Sequence, residues 1–398
     1  MKTTLQNDIP TSSIDPFSNE YILAPYSFHE ELRQLGPVCY LSKWDVFAVT
    51  QYQFVKEVLD QPLIFCSGAG VGISNFKKDP PWRVPSLVLE TDPPDHTRNR
   101  AVISKTLSPI ALRNLKVQFE AEANLFVDRL LEKRYFDAVK DLAEAFPLKV
   151  FGDAIGITPH QRYNAILYGN MVFNGLGPKN DLLMQAMSHA DVVNPWVMNA
   201  CQRANLTKTG LGIQIYEAVE SGILTEMEAT TLVRSFFSAG VDTTAHAISN
   251  ALYSFVTFPE QWAKLKENPQ LAKSTFEEIL RFEAPFQTFF RTTTTETTLG
   301  NYVIPENEKV MLSMGSANRD PLKWDEPDQF DISRTTTGHL GFGTGIHGCV
   351  GQMLARAEVE ALLQVMSKKV TSIRFTAEPK RLLHNTLRGF ESLPIEFI

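Results

Sequence analysis

The densest chemistry in the chain lies between Phe342 and Gly351. Phe342, Gly343, Gly345, His347, Cys349 and Gly351 form a Phe-Gly-x-Gly-x-His-x-Cys-x-Gly string. The same stretch contains Gly343-Thr344-Gly345-Ile346-His347-Gly348, a G-x-G-x-x-G pattern suited to a dinucleotide pyrophosphate. That use requires a buried strand before the loop, a crossover helix after it and an acid some twenty residues later. The residues before the loop are too polar for a central strand, and no Asp or Glu falls between residues 361 and 377. Cys349 suits a different chemistry. Glycines let the backbone turn tightly and aim amide N–H groups at a sulfur, lowering the cost of a buried thiolate. The helix that begins after Cys349 favours the same anion through its dipole. A thiolate so held is a metal ligand, and the amides also tune the metal. A free cysteine is more often a small core hydrophobe, but the surrounding string argues against that.

Other polar groups stand where they are costly. Ala239-Gly240-Val241-Asp242-Thr243-Thr244 puts an acid and a hydroxyl in the middle of an apolar helical stretch. The bland account is a threonine bonded back to the preceding turn, with Asp242 in solvent. Ser235, Ser238 and Asp242 recur at i, i+3 and i+7, one stripe of one helical face. Arg234 adjoins it. Glu278 and Arg281 are an i, i+3 pair. His96 and Arg100, four apart after Pro93-Pro94, can share one carboxylate.

These residues need a scaffold, and the pattern predicts a mainly α fold with a smaller β portion. Residues 111–133 carry a near 3.6-residue apolar repeat. Thr225 and Glu228 form a capping box, and Pro259 limits the other end of a long helix of roughly 50 Å. Strands are expected in the segments TFFRTTTTETTLG, YVIP, 309–315 and SIRFT. Residues 1–15 read as a flexible lead, followed by one domain over 16–398. The 398 residues are 43% hydrophobic and 21% charged, enough for a sizeable core. A net charge of −7 disfavours nucleic acid as the main partner. No apolar leader or membrane-length span is seen, and four dispersed cysteines suit a reducing cytoplasm.

The cysteine string resembles the ligand loop of the cytochrome P-450 superfamily, the haem-thiolate monooxygenases. The likeness runs from about Asp92 to the C-terminus. It implies haem b with Cys349 as the axial iron ligand, donating electrons that favour O–O cleavage. Phe342 is then beside the sulfur. His347, His96, Arg100 and Arg291 are implied at the haem propionates, and Gly343, Gly351, Ala239 and Gly240 around the haem. Thr243 would steady the reduced oxygen group and Asp242 relay protons to it. Glu278 and Arg281 match the family's E-x-x-R pair. The arginine that often completes that network is replaced by Gln329, with Arg334 as the available substitute.

Several segments further resemble the soluble bacterial subgroup that oxidises para-substituted benzoates: CSGAGVGISNFKKDPPWRVPS, MVFNGLGPKN, LVRSFFSAGVDTT and QTFFRTTT. This implies Arg83, Ser86 and Ser235 at a substrate carboxylate, and Phe173 and Phe289 on either side of its ring. Leu89, Leu176, Ser238 and Ala239 complete the expected pocket. Ser235 lies roughly 10 Å along the helix from Asp242, a ring-length anchor. The expected reaction uses dioxygen to O-demethylate or hydroxylate the para substituent. Electrons come from a separate ferredoxin and its NAD(P)H-dependent reductase, because no such module is appended. The expected enzyme is a cytoplasmic monomer. Oxidation of a fatty acid or terpenoid, or haem sensing without turnover, are the rival readings.

Overall fold

The computed structural model describes residues 8–398. Its axis is the 32-residue helix Glu226–Thr257. Thr225 accepts from the Glu228 amide while the Glu228 carboxylate returns the contact, so the predicted capping box forms. At the other end Pro259 opens a new helix, Pro259–Glu267, and the axis stops at Phe258. Packed on this central helix are Ala145–Ile155, Asn164–Asn174 and the π-helical turn Val139–Glu144. The helix after the cysteine string, Gln352–Lys369, lies against Pro109–Lys133, the element read from the 111–133 repeat.

The β portion is a six-stranded sheet with three small accessory sheets. Its strands run in the order Thr11–Ser12, Cys39–Leu41, Val46–Val49, Lys309–Ser313, Thr288–Thr293 and Phe65–Cys66. The strands expected near 288–299, 302–305, 309–315 and 372–376 are present. Cys39–Leu41 and Val46–Val49 were not foreseen. The expected flexible lead needs correction: Thr11–Ser12 pairs in parallel with Tyr40–Leu41, so its last residues are sheet. Residues 1–7 of that lead lie outside the described residues.

Strand alternation explains one part of the site. In Thr288–Thr293, Phe289 and Arg291 share a face and line the central cavity, while Phe290 is fully buried on the other face beside Met311.

Candidate active site

A single cavity runs from Cys349 to Arg83, Arg234 and Ser235, between the central helix, the cysteine string and the sheet. Of the four cysteines only Cys349 lines it; Cys39, Cys66 and Cys201 are buried in the core. Gly343 and Gly345 have φ of +66° and +68°, the left-handed turn that needs glycine. A Cβ on Gly345 would also stand 2.7 Å from the Leu59 carbonyl oxygen. The turn returns the chain so that the Cys349 amide donates to the Phe342 carbonyl at 2.8 Å. The amides of Gly351 and Gln352, at the start of the following helix, lie near the Cys349 sulfur and favour its anion. Burial pushes the Cys349 thiol up, while those amides and the charges of Arg100 and Arg356 pull it back. A directly bound metal cation deprotonates such a thiol outright.

One edge of the cavity is crowded with donors that have no acceptor. Both ring nitrogens of His347 and Nε2 of His96 are buried without a hydrogen-bond partner. The two rings are 4.3 Å apart, although His96 itself is off the cavity wall. Arg100 makes no hydrogen bond or ion pair among the described residues. Arg291 spends one N–H on the carbonyl of Phe290, at 2.8 Å, and has no acidic partner. Burial, then Arg291 and His96, lower the His347 pKa to about 3; burial lowers Arg291 to about 10. Such a cluster calls for anionic oxygens. The two propionates of a haem would supply them, so the residues present fit the group.

Opposite the sulfur, Ala239, Gly240, Thr243 and Thr244 form the wall. A Cβ on Gly240 would lie 2.3 Å from the Phe151 ring, so glycine here lets that ring pack on the helix. Thr243 donates to the Ala239 carbonyl at 2.8 Å, the back-bond of the bland account. Asp242, however, is not in solvent: it is 4% exposed. Nor does it share the cavity face with Ser235 and Ser238, as the stripe predicted. Its carboxyl turns towards Gly169, where a Cβ would come within 2.5 Å of Oδ2. Burial, reinforced by Glu144, raises its pKa well above the carboxylate range.

The far end combines an aromatic wall with buried donors. Phe173, Phe286 and Phe289 all line it; Phe286 stacks on Phe289 at 4.1 Å and meets Phe173 edge-on at 5.6 Å. The expected pair of rings is thus a group of three. Leu89 is on the wall, but Leu176 is not: it packs behind Phe173 with Val71 and Leu387. Ser86, Ser235 and Ser238 line the cavity, and Ser235 Oγ is buried with no partner. Arg83 is no solvated loop residue; it pairs with buried Glu90 at 2.8 Å. Arg234 is the cation without an acidic partner. It is 4% exposed and donates to the Val84 carbonyl at 2.8 Å. The sequence showed it only as a neighbour of Ser235, and Phe286 only as part of an apolar run.

Beneath the loop, Arg281 pairs with Glu278 at 2.7 and 2.8 Å, both fully buried. Arg334 Nε stands 3.4 Å from Glu278, so it occupies the third position, and Gln329 contributes its carbonyl oxygen to Arg281 at 3.0 Å. Glu277, unnoticed beside Glu278, holds His339 at 2.7 Å and Arg356, clasping both ends of the cysteine string.

The family model "Cytochrome P450" matches residues 204–369. The chain is 49% identical over 389 residues to Cytochrome p450 CYP199A2 of Rhodopseudomonas palustris, covering 98% of this chain and 94% of that one. It is 32% identical to Cytochrome P450 107B1 of Saccharopolyspora erythraea, covering 88% and 89%. Among solved structures it resembles cytochrome P450 CREJ in complex with (4-ethylphenyl) dihydrogen phosphate. That match has a TM-score of 0.87 and 27% identity, and it covers 96% of this chain and 99% of that one. No helix among the described residues is long and apolar enough to cross a membrane. With its mainly helical fold, sulfur-centred cavity and these relatives, the chain belongs to the cytochrome P450 family and is a monooxygenase that uses haem b on a cysteine thiolate, dioxygen and redox partners.

Proposed function

We propose that this enzyme oxidises the para substituent of a benzoate-class aromatic acid, by O-demethylation or hydroxylation. The observation that carries the reading is the pairing of a three-ring aromatic wall with Arg234, which has no acidic partner among the described residues, and the unpartnered Ser235 hydroxyl at its far end. A flat ring suits the phenylalanines. A carboxylate would satisfy Arg234 and accept from Ser235, with Ser86 and Arg83 adjacent. The opposite end of the substrate then faces the sulfur side.

Cys349 is the proposed thiolate. His96, Arg100, Arg291 and His347 are the proposed propionate partners, with Phe342, Gly343, Gly351, Ala239 and Gly240 around the ring. Haem bound there supplies the activation of dioxygen and the transfer of one of its atoms. The chain's own part is to exclude water and deliver protons. Burial raises the Asp242 pKa well above its usual value and so favours the protonated form, which suits it to pass a proton. Thr243, one residue away, lines the cavity, and its hydroxyl, back-bonded to the Ala239 carbonyl, would pass the proton on. Electrons arrive from a separate iron–sulfur ferredoxin and its NAD(P)H-dependent reductase.

Titrating the haem-loaded enzyme with 4-methoxybenzoate should shift the iron to high spin and, with electron donors, release 4-hydroxybenzoate and formaldehyde. A shift with fatty acids or terpenoids and none with any aromatic acid would overturn the substrate reading. Thr243→Ala should lower product formed per dioxygen consumed; unchanged coupling would remove Thr243 from proton delivery.

A further inference from the structure

We propose that Glu90 sets the charge accepted at the far end of the cavity, matching it to a single negative charge and against a dianion. The inference rests on the aromatic-acid reading above. Arg83 and Arg234 both line this end. Glu90, 4% exposed, forms an ion pair with Arg83 at 2.8 Å and accepts from the Ser86 amide at 2.7 Å. Its carboxylate thus holds a guanidinium and a neighbouring amide on the anion-binding segment, as a bound acid would.

The consequence is a charge count. Arg83 and Glu90 cancel within a largely buried ion pair, where opposite charges remain strongly coupled. Arg234 has the Val84 carbonyl at 2.8 Å, the Met198 sulfur at 3.9 Å and no carboxylate. Arg291, 5.9 Å from the Phe289 ring, is assigned to a haem propionate, and Lys309 is off the cavity wall and donates to the Gly70 carbonyl at 2.7 Å. One guanidinium charge is therefore left for a ligand. That balances a carboxylate and leaves a phosphate monoester dianion with one charge buried and uncompensated. The structurally similar CREJ holds (4-ethylphenyl) dihydrogen phosphate, so an aryl phosphate is a realistic competitor for a cavity of this fold. Uncovering the second guanidinium should admit it.

The test compares 4-methoxybenzoate with 4-ethylphenyl phosphate by calorimetric titration of the haem-loaded enzyme at pH 8, where the phosphate is a dianion. The parent should prefer the acid. Glu90→Gln, which keeps an oxygen for the Ser86 amide but loses the charge, should narrow that preference by about tenfold or more, equivalent to about 1.4 kcal/mol. Glu90→Asp keeps the charge and should keep the preference. A ratio unmoved in Glu90→Gln, or moved equally in Glu90→Asp, overturns the proposal while leaving acid binding intact. A parent that binds neither ligand defeats the aromatic-acid reading and this inference together. A measurement on the parent needs no variant to fold. Lowering the pH from 8 to 5.5 makes the phosphate, with a second pKa of about 6, largely a monoanion. Its affinity should then approach that of the acid, and a flat profile counts against Glu90.

Discussion

Arg281 and Arg234 are both nearly sealed from solvent, at 0% and 4% exposure, yet they serve opposite ends. Arg281 spends every N–H of its guanidinium inside the protein: on Glu278 and on the carbonyls of Asn318, Pro327 and Gln329. Arg234 has one carbonyl, a distant sulfur and the open cavity. A buried charge with its full complement of partners holds a fold together. A buried charge short of partners costs stability unless a ligand completes it. The same contrast separates Glu278, enclosed by two arginines, from the His96–His347 pair, in which His96 Nε2 and both His347 ring nitrogens are buried without a hydrogen-bond partner. Burial alone does not tell scaffold from site; the state of the hydrogen bonds does.

The contrast is broken most forcefully at Arg281. Arg281→Met takes the bidentate partner from buried Glu278, leaving it only Arg334 at 3.4 Å, and should cost roughly 3–5 kcal/mol, enough to prevent stable haem loading. Denaturant unfolding and the haem-to-protein absorbance ratio measure this. Arg234→Met should do the reverse. Stability should stay within about 1 kcal/mol of the parent or rise, while affinity for 4-methoxybenzoate falls by about thirtyfold or more, roughly 2 kcal/mol. Equal destabilisation by the two substitutions would erase the distinction.

That distinction was only half legible in the sequence. The cysteine string was readable because its glycines and its sulfur act locally, within ten residues and at the start of one helix. The central helix was readable from a capping box and a proline for the same reason. Helical periodicity also gave the angle of Asp242 relative to Ser235, but not what packs there. Gly169, on another helix, makes the room into which the carboxyl turns. The pairing of Arg83 with Glu90 could not be read, because that partner is identified only by the fold of the loop. Arg234 looked incidental because a lack of partners cannot be seen in one dimension. Cys39–Leu41 and Val46–Val49 are too short, at three and four residues, to show alternation, and their pairing with distant strands defines them.

A smaller effect probes the scaffold side. Burial alone would raise Glu277, but hydrogen bonds from His339 and Arg356, with their charges, outweigh it and hold the carboxyl at about 2, against an ordinary 4.5. A depressed folded-state pKa contributes stability that is fully present above pH 4.5 and lost as pH falls through about 2. The contribution is roughly 3 kcal/mol at neutral pH. Glu277→Gln should therefore lower stability at pH 7 and flatten its decline between pH 4.5 and 2. Identical acid limbs for parent and variant would show that the clasp carries no such linkage.

The smallest expected effect lies at Ser235, on the ligand side. Its hydroxyl is buried without a partner in the protein, so the fold bears the cost of an unmet hydrogen bond. Ser235→Ala removes that cost along with the donor. Unfolding free energy should stay level or rise slightly, by up to about 1 kcal/mol, because nothing in the protein loses a contact. Affinity for 4-methoxybenzoate should fall about fivefold, near 1 kcal/mol, the value of one hydrogen bond to a charged acceptor at the low end of its range. Affinity for 4-methoxybenzamide, whose neutral group forms a weaker bond, should fall by less. A structural serine would show the opposite pattern, with stability lost and both ligands weakened alike. The sign of the stability change therefore separates the two roles even where the affinity change is small.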